Sequence, residues 1–213
     1  MDTTIYFIRH SEYLKLKKMK YDDTDQIHNE KQPLSVNGER RARLLSELDE
    51  LYHINMVISS HYVRTISTAK YIAERNDLEV YINEDFRERK HGVNWDQIPE
   101  DFEKRQFYEE DYKLGDGENQ KEVRERMYQA LLNVLDLFKG ERVVIASHAT
   151  AMTYLFMKWC EIERNEENWD IKMSFKGNTF FERPFSAPET FKLVFNENKE
   201  LISIENIAVE YHE

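Results

Sequence analysis

The chain has 213 residues, and its hydrophobic fraction of 40%, with 12 phenylalanines, 12 tyrosines and 3 tryptophans, supplies enough apolar surface to exclude a disordered chain. A formal net charge of -11 disfavours nucleic acid or an anionic membrane as partner, because both bind a basic protein face. The single cysteine, Cys160, excludes an intramolecular disulfide and a cysteine-only zinc site.

The N-terminal part of the sequence alternates between short apolar runs and helical periodicity. Apolar, β-branched runs bounded by polar residues predict buried strands, and apolar residues three or four positions apart predict helices. The predicted elements are a strand at 4–8, a helix at 36–52, a strand at 56–59, a helix at 62–75 and a strand at 79–82. Ser35 is the predicted N-cap of the first helix, whose buried face is predicted to carry Leu44, Leu48 and Leu51.

The C-terminal part begins with a polar, aromatic and irregular stretch at 93–121, which we interpret as an insertion in the main fold. Its aromatic residues are predicted to form a small core of their own, with a lid over a pocket as the alternative. The later elements are a helix at 121–138, a strand at 142–147, a helix at 149–160 and a hairpin of 190–195 with 201–209. Alternating strands and helices followed by a hairpin predict an α/β fold on a largely parallel sheet, formed by a single domain over residues 1–213.

The N-terminal segment MDTTIYFI has no basic stretch ahead of a long apolar run, so we expect no signal peptide. No stretch approaches the roughly 20 apolar residues that a membrane helix needs. Together with the single cysteine, these features predict a cytoplasmic protein that does not bind membranes.

Residues suited to phosphate chemistry follow several of the predicted strands. Arg9 and His10 end the first strand, Arg64 begins the helix after the second, Glu88 follows the third, and His148 ends the strand at 142–147. Ligands of parallel sheets bind beyond the carboxyl ends of the strands, so we expect these five side chains to converge there.

Each residue type has a use in phosphoryl transfer. A neutral imidazole can attack phosphorus and carry the phosphoryl group. Arginine clamps phosphoryl oxygens in a bidentate fashion, and the helix start after His148 offers free N–H donors. A carboxylic acid such as Glu88, if protonated near neutral pH, can give a proton to the leaving oxygen. Positioning and charge stabilisation make up most of such catalysis, so this set can act without a metal.

The same segments resemble, in order, the motifs of the histidine phosphatase superfamily, which includes cofactor-dependent phosphoglycerate mutases. These segments are IYFIRHSE (5–12), PLSVNGERRA (33–42), ISSHYVRTISTAKYIAE (58–74), FRERKHG (86–92), GDGEN (115–119) with VRER (123–126), and VVIASHATAM (143–152).

The resemblance implies a three-layer α/β/α sandwich of the phosphoglycerate mutase-like type, with a small cap insertion at about 93–121. It implies that His10 is the catalytic nucleophile, that Glu88 is the proton donor, and that Arg9, Arg64 and His148 bind the phosphoryl group. It further implies a small phosphorylated substrate and neither metal nor cofactor.

The sequence also departs from the family pattern at four positions. Ser11 and Ala149 replace the small residues usual after the two histidines, Lys17 stands where the mutases carry an asparagine, and Asn119 stands where a serine is common. The basic run KLKKMK (15–20), which includes Lys15, Lys17 and Lys18, is interpreted as a solvated loop, with a site for a second anionic group of the substrate as the alternative.

Three functions stay open at this point, and phosphatase is the leading one. Glu88 and His148 are 60 positions apart, a spacing that resembles the phosphatases more than the mutases with their longer insertion. A phosphoglycerate mutase-type transfer and a non-catalytic module that binds a phosphoryl ligand are the alternatives. For Glu88 itself, a surface ion-pair cluster with its arginine neighbours is the alternative to acid catalysis.

Overall fold

A computed structural model of the protein describes residues 1–18, 24–165 and 170–209. Its main sheet has six strands in the order β3-β2-β4-β1-β8-β9. The parallel strands are β1 (Thr3–Arg9), β2 (Met56–Ser59), β3 (Val80–Ile82) and β4 (Arg142–Ser147). The antiparallel strands at one edge are β8 (Glu189–Phe195) and β9 (Leu201–Ile207). The predicted α/β fold on a largely parallel sheet, with a C-terminal hairpin, is confirmed.

Helices cover both faces of this sheet. They are α1 (Asp25–Glu30), α2 (Val36–Ser46), α3 (Val63–Arg75), α4 (Phe102–Tyr108), α5 (Gln120–Leu137) and α6 (Ala149–Phe156). Successive side chains of β1 point to opposite faces: Ile5 and Phe7 belong to the core that α5 and α6 complete, whereas Tyr6 and Ile8 belong to the core with α2 and α3. The predicted three-layer sandwich is therefore confirmed.

The predicted N-cap, Ser35, begins α2, and a cap that was not predicted begins α5. The Ser35 hydroxyl accepts a hydrogen bond from the Gly38 backbone N–H at 2.9 Å and so starts α2. Asn119 starts α5 and forms a capping box with Glu122. An asparagine caps a helix as well as a serine does, which accounts for the departure from the family pattern at this position.

Two helices are shorter than predicted. α2 ends at Ser46, and a short 3-10 turn, Asp49–Leu51, follows it. Arg75 of α3 donates to the carbonyls of Ser46 and Leu48, which satisfies acceptors left at the helix end. The predicted apolar stripe of α2 is therefore wrong, since Leu44 is 38% exposed and Leu51 is buried from the 3-10 turn. The last helix, α6, likewise ends at Phe156 rather than at residue 160, and the chain then enters an additional strand.

A second sheet, which we did not predict, follows α6. It is antiparallel, in the order β5-β6-β7, with strands β5 (Glu161–Arg164), β6 (Ile171–Phe175) and β7 (Asn178–Arg183). The turn between β6 and β7 is Lys176-Gly177, and both residues have positive φ angles of 50° and 79°. Two positive φ angles are characteristic of a two-residue hairpin turn, so a Lys-Gly pair between aromatic runs was the available signal.

The region at 93–121 contains a 3-10 turn, Trp95–Gln97, and the helix α4 within otherwise irregular chain. Phe102 and Phe107 of α4 are buried, whereas Trp95 and Tyr108 are largely exposed. Across the described parts of the chain, none of the helices combines the length and apolarity needed to cross a membrane.

Candidate active site

His10 lies directly after β1, at the carboxyl edge of the sheet, and is 5% exposed. Its Nδ1 is 2.8 Å from the Ser11 carbonyl oxygen, which can only accept, so Nδ1 carries the proton. In the neutral ring, Nε2 therefore has a free lone pair. Burial lowers the pKa of His10 well below 6.5, and the charges of Arg64 and Arg9 lower it further. The His148 ring lies 5.2 Å away, centroid to centroid.

The loop that holds His10 packs closely against α2 and α3. The Ser11 hydroxyl donates to the Gly38 carbonyl at 2.8 Å, and the Ser11 backbone N–H donates to the Thr68 hydroxyl at 2.9 Å. A Cβ on Gly38 would lie 1.9 Å from the Glu12 carbonyl oxygen, so only glycine permits this contact. Both the hydroxyl and the backbone N–H of Ser11 are thus hydrogen-bonded within the fold.

Two arginines flank the histidine pair, Arg64 buried and Arg9 half-buried. Nη1 of Arg9 donates to the carbonyls of Phe185 and Ser186, both at 2.9 Å. Nη1 of Arg64 donates to the carbonyl of Asn29 at 2.6 Å. The Nε atoms of both arginines are buried and have no hydrogen-bond partner among the described residues. Two guanidinium groups at the same edge of the sheet fit an anionic ligand, because arginine is always charged and presents several N–H donors to one anion.

His148 is fully buried and both of its ring nitrogens have partners. A guanidinium only donates, so Nδ1 accepts from Nη2 of Arg64 at 3.4 Å, and Nε2–H donates to the Ser60 hydroxyl at 2.9 Å. Ser60 in turn lies 2.7 Å from the hydroxyl of Thr65, which donates to the Tyr62 carbonyl at 2.7 Å. Sequence reasoning missed Ser60 and Thr65, although Ser60 lies four positions before Arg64 in the quoted motif.

Burial is also the main cause that lowers the pKa of His148 well below 6.5, followed by the charge of Arg64. Both histidines of the pocket are therefore neutral at neutral pH. A neutral ring is the form in which His10 can act as a nucleophile.

Glu88 contacts the start of α6, the helix that follows His148. Its Oε1 accepts from the backbone N–H groups of Arg89 and Ala151, both at 2.9 Å, and Oε2 accepts from that of Thr150 at 3.4 Å. The carboxylate is half-buried. These bonds tie the predicted acid to the helix that follows the second histidine of the site.

The arginines beside Glu88 pair with other carboxylates. Arg87 binds Glu118 at 2.7 Å and Arg89 binds Glu103 at 2.9 Å. Arg87 and Arg89 therefore pair with Glu118 and Glu103 rather than with Glu88, against the alternative of an ion-pair cluster around Glu88.

Glu118 organises the segment that carries Glu88. Its carboxylate accepts from the side chains of Arg87 and Arg126 and from the Lys90 backbone N–H at 3.1 Å. Arg126 also donates to the Asp85 carbonyl at 2.6 Å. The Gly-Glu stretch and the arginine on α5 thus hold the chain on both sides of Glu88. In the sequence, these residues could be recognised only because they match the family pattern.

Tyr13 is a further pocket residue that sequence reasoning missed. Its ring centroid lies 5.7 Å from that of His10, and the guanidinium of Arg64 lies 5.2 Å from its centre. An aromatic residue three positions after the nucleophile gave no separate signal in a sequence rich in tyrosine.

The basic run after the nucleophile is only partly described. Lys15 and Lys17 are exposed, and Lys18 forms an ion pair with Asp25 at 2.6 Å. Met19 and Lys20 lie outside the described residues.

The structure thus brings Arg9, His10, Arg64 and His148 together and places Glu88 beside the helix that follows His148. Such a set can bind a tetrahedral dianion between two arginines and present a nitrogen lone pair to it. Among residues 1–18, 24–165 and 170–209, no three side chains of the histidine, cysteine, aspartate and glutamate types cluster closely enough to hold a metal ion. The individual roles of the five residues stay predictions.

Comparison with known proteins gives matches over most of the chain. The model of the histidine phosphatase superfamily (branch 1) matches residues 5–179. Proteins named probable phosphoglycerate mutase GpmB, from Klebsiella pneumoniae subsp. pneumoniae and Salmonella arizonae, are 31% and 29% identical over 157 residues. In each case the match covers 70% of this chain and 70% of the relative.

Solved structures with the same fold include two phosphatases. A mycobacterial glucosyl-3-phosphoglycerate phosphatase superimposes with a TM-score of 0.66 at 16% identity and covers 97% of both chains. A mutant phosphoserine phosphatase from Entamoeba histolytica, in complex with phosphoserine, gives a TM-score of 0.59 at 17% identity and covers 95% of this chain and 96% of that chain.

Proposed function

The chain belongs to the histidine phosphatase superfamily, and we propose that it is a phosphatase that hydrolyses small phosphomonoesters through a phosphohistidine on His10. The observation that carries this proposal is the fixed ring of His10. Its Nδ1–H donates to the Ser11 carbonyl, so Nε2 keeps a free lone pair. Arg9 and Arg64 flank the pocket in which this ring lies. That arrangement supplies a neutral nucleophile next to two cations that bind a phosphoryl dianion.

Substrate binding uses the guanidinium groups of Arg9 and Arg64. Their N–H groups donate to phosphoryl oxygens. The dianion also favours a second proton on His148, whose Nδ1–H then donates to a phosphoryl oxygen in place of accepting from Arg64. The Ser60 hydroxyl keeps the ring oriented through this change.

The first chemical step transfers the phosphoryl group to the protein. Nε2 of His10 attacks phosphorus, the ester P–O bond breaks, and the protonated Glu88 gives its proton to the leaving oxygen. The products are phosphohistidine, an alcohol and the Glu88 carboxylate. The Ser11 carbonyl, which accepts from Nδ1–H, stabilises the positive charge that develops on the ring.

The second step regenerates the protein. The Glu88 carboxylate takes a proton from water as the water oxygen attacks phosphorus, and the P–N bond to His10 breaks. Inorganic phosphate leaves, and Glu88 is again protonated for the next ester. The Ala151 N–H at the start of α6 and the N–H of the neighbouring Arg89 hold Glu88 in place for both steps.

A mutase is the second candidate, and the names of the curated relatives favour it. In that reaction the phosphoryl group returns to a bound intermediate, so water must be excluded. The spacing of 60 positions between Glu88 and His148 leaves room only for a short cap and supports hydrolysis instead. Isomerisation of 3-phosphoglycerate with negligible phosphate release would favour the mutase.

Trapping the intermediate tests the proposal. The wild type, quenched during turnover of a small alkyl phosphate, should carry acid-labile phosphate, and His10→Ala should carry none. In Glu88→Gln, the amide oxygen can keep the two short backbone bonds, so the fold should persist while kcat falls by about 10²–10⁴-fold. An activated aryl phosphate should lose less activity, because its leaving group needs no proton. Binding of phosphate without any labelling would instead support a non-catalytic module.

A further inference from the structure

We propose that Glu189 is a positioning residue that holds Arg9 in the orientation in which Arg9 binds the phosphoryl group. The inference rests on the proposed function, because that function gives Arg9 its role. Glu189 acts through one peptide group of the loop between β7 and β8 rather than through a contact of its own with the substrate. It lies beyond residue 179, where the match to the family model ends.

One peptide group bridges Arg9 and Glu189. Its carbonyl, that of Phe185, accepts from Nη1 of Arg9 at 2.9 Å. Its N–H, that of Ser186, donates to Oε2 of Glu189 at 3.0 Å. The carbonyl of Ser186 accepts a second bond from Nη1 of Arg9, also at 2.9 Å. Because a peptide group is planar, an acceptor that fixes its N–H also fixes the direction of its carbonyl, and with it the position of Nη1.

The two residues at the ends of this bridge also lie opposite each other in the main sheet. Arg9 ends β1, Glu189 begins β8, and the two are partners in the antiparallel register of these strands. Directly opposite residues place their side chains on the same face of a sheet. Burial lowers the pKa of Arg9, and the charges of Glu88 and Glu189 oppose that effect. Glu189 is therefore connected to Arg9 by strand pairing and by charge as well as by the peptide group.

The carboxylate of Glu189 is itself held in a fixed position. The residue is 3% exposed, and Arg183 at the end of β7 binds both of its oxygens, at 2.6 and 3.0 Å. The side-chain amide of Asn206 on β9 donates to Oε1 at 2.8 Å. A buried carboxylate needs such partners to offset the loss of hydration. The N–H of Ser186 thus donates to an acceptor that three strands hold in place.

The bonds to the loop use one corner of the Arg9 guanidinium and leave an edge for the anion. Nη1 carries two N–H groups, and two carbonyls lie 2.9 Å from it. The other N–H groups, on Nη2 and Nε, form one edge of the planar group, and such an edge can hold two phosphoryl oxygens. A guanidinium anchored at Nη1 is preorganised for this contact, because less side-chain freedom is lost when the anion binds.

A purely structural role for Glu189 is the alternative. Its pair with Arg183 would then only join the end of β7 to the start of β8 and contribute to stability. In that case the affinity for an oxyanion would not depend on Glu189 through Arg9. The coupling between positions 189 and 9 therefore separates the two roles.

A double-mutant cycle measures this coupling. The probe is orthovanadate, a tetrahedral oxyanion like phosphate, and calorimetry at fixed pH gives its Kd for the wild type, Glu189→Gln, Arg9→Ala and the double variant. Glutamine keeps the shape of the side chain but turns an NH2 group, which cannot accept, towards two of the bound donors. Glu189→Gln should therefore weaken vanadate binding by about tenfold, and this loss should disappear when residue 9 is already alanine.

Two further variants make the result independent of stability. Ile204→Val removes one buried methylene from β9, lowers stability and should keep the wild-type Kd. If Glu189→Gln does not fold, Arg183→Gln takes its place in the cycle, because the side chain of Arg183 is 38% exposed and its removal takes two bonds from Glu189. This variant should weaken vanadate binding by about fivefold, again only while Arg9 is present.

Unchanged vanadate affinity in the folded variant, a loss of the same size with and without Arg9, an equal loss in Ile204→Val, or no binding of vanadate to the wild type would each overturn the proposal. Trapping of phosphohistidine keeps this proposal separate from the proposed function. Losses coupled to Arg9 without any phosphohistidine would support positioning and contradict catalysis. Phosphohistidine formation with uncoupled losses would support catalysis and contradict positioning.

Discussion

In each histidine of the pocket, a neighbouring hydrogen-bond acceptor determines which ring nitrogen carries the proton. For His10 the acceptor is the backbone carbonyl of the next residue, so any side chain at position 11 leaves it in place. For His148 it is the side chain of Ser60, 88 positions away in the chain. The acceptor for the His148 Nε2–H is therefore a single hydroxyl, whose own proton is donated to Thr65.

We predict that Ser60→Ala weakens phosphate binding and catalysis. Without the hydroxyl, the buried Nε2–H of His148 loses its acceptor, a loss worth about 1–3 kcal/mol and therefore about five- to 150-fold in kcat/KM and in the affinity for inorganic phosphate. Steady-state kinetics and calorimetry would measure both quantities.

Ser59→Ala is a matched control for this prediction. Ser59 is also fully buried, but its hydroxyl donates to the Ser60 carbonyl at 2.8 Å. We therefore expect this variant to lose some stability and to keep its affinity for phosphate. Equal losses of phosphate affinity in the two variants would contradict the role of Ser60.

At the scale of elements, the segment that carries Glu88 belongs to no long helix or strand and is held from outside. Glu118, just before α5, and Arg126, within it, bind the chain on both sides of Glu88. Arg89 connects the same segment to α4 through Glu103 and through the ring of Phe102, 4.8 Å from its guanidinium. Glu88 is therefore positioned by the insertion and by the long helix together.

We predict that Glu118→Gln lowers kcat while the affinity for inorganic phosphate changes little. Weaker bonds to Arg87 and Lys90 leave Glu88 less well placed, and a displacement of about 1 Å can cost about a hundredfold in rate. Arg9 and Arg64, which bind phosphate in the proposed mechanism, make no contact with Glu118 among the hydrogen bonds described above. The split between kcat and phosphate affinity is the measurement that separates positioning from general damage.

Glu125→Gln on the same helix provides the comparison, because Glu125 binds only the exposed side chain of Gln129 among the contacts described. It should retain wild-type kcat. A parallel loss of phosphate affinity and kcat in Glu118→Gln would contradict this prediction, because Glu118 would then do more than position Glu88.

At the scale of the whole molecule, an acidic chain concentrates cationic and imidazole groups at one edge of its sheet. The net charge is -11, yet Arg9, Arg64, His10 and His148 all lie where β1 and β4 end and α3 begins. Burial lowers the pKa of both histidines well below 6.5, with the arginine charges as the next cause. Burial, assisted by Arg89, also lowers the pKa of His91, to about 4.

These depressed pKa values predict that the protein loses stability as pH falls from about 7 to about 5. In that window the unfolded imidazoles bind protons, whereas the folded ones stay neutral, so the unfolded state binds more protons and protonation favours it. Each such histidine contributes a slope of about 1.4 kcal/mol per pH unit. Urea unfolding in phosphate-free buffers would measure the free energy of unfolding at each pH.

Substitution of one pocket histidine should make this dependence shallower. We expect His148→Asn to lower the slope by about one proton, or about 1.4 kcal/mol per pH unit, whatever it does to stability at neutral pH. His53→Asn, the same change at an exposed position, should keep the wild-type slope. An unchanged slope in His148→Asn would mean that this histidine is not held neutral in the folded protein.

The sequence by itself determined the order along the chain of the main-sheet strands and their helices, and the residues at the ends of those strands. β4 has the predicted bounds, 142–147, and so does β2, because buried parallel strands are short, apolar and bounded by polar residues. The convergence of His10, Arg64 and His148 followed from the rule for carboxyl ends of parallel strands. Local pattern and topology were sufficient for these features.

Only the tertiary structure decided the features that depend on contacts between distant segments. Arg75, from α3, donates to the Ser46 carbonyl at the end of α2 and to the Leu48 carbonyl beyond it. The β5–β7 sheet pairs strands in which polar and charged residues interrupt the apolar ones. Ser60, Tyr13 and Glu118 acquire their contacts through side chains 88, 51 and 31 positions away, respectively His148, Arg64 and Arg87. Hydrogen bonds and ring contacts act over a few ångströms. Whether two residues far apart in the chain come that close depends on the tertiary structure and cannot be read from the sequence.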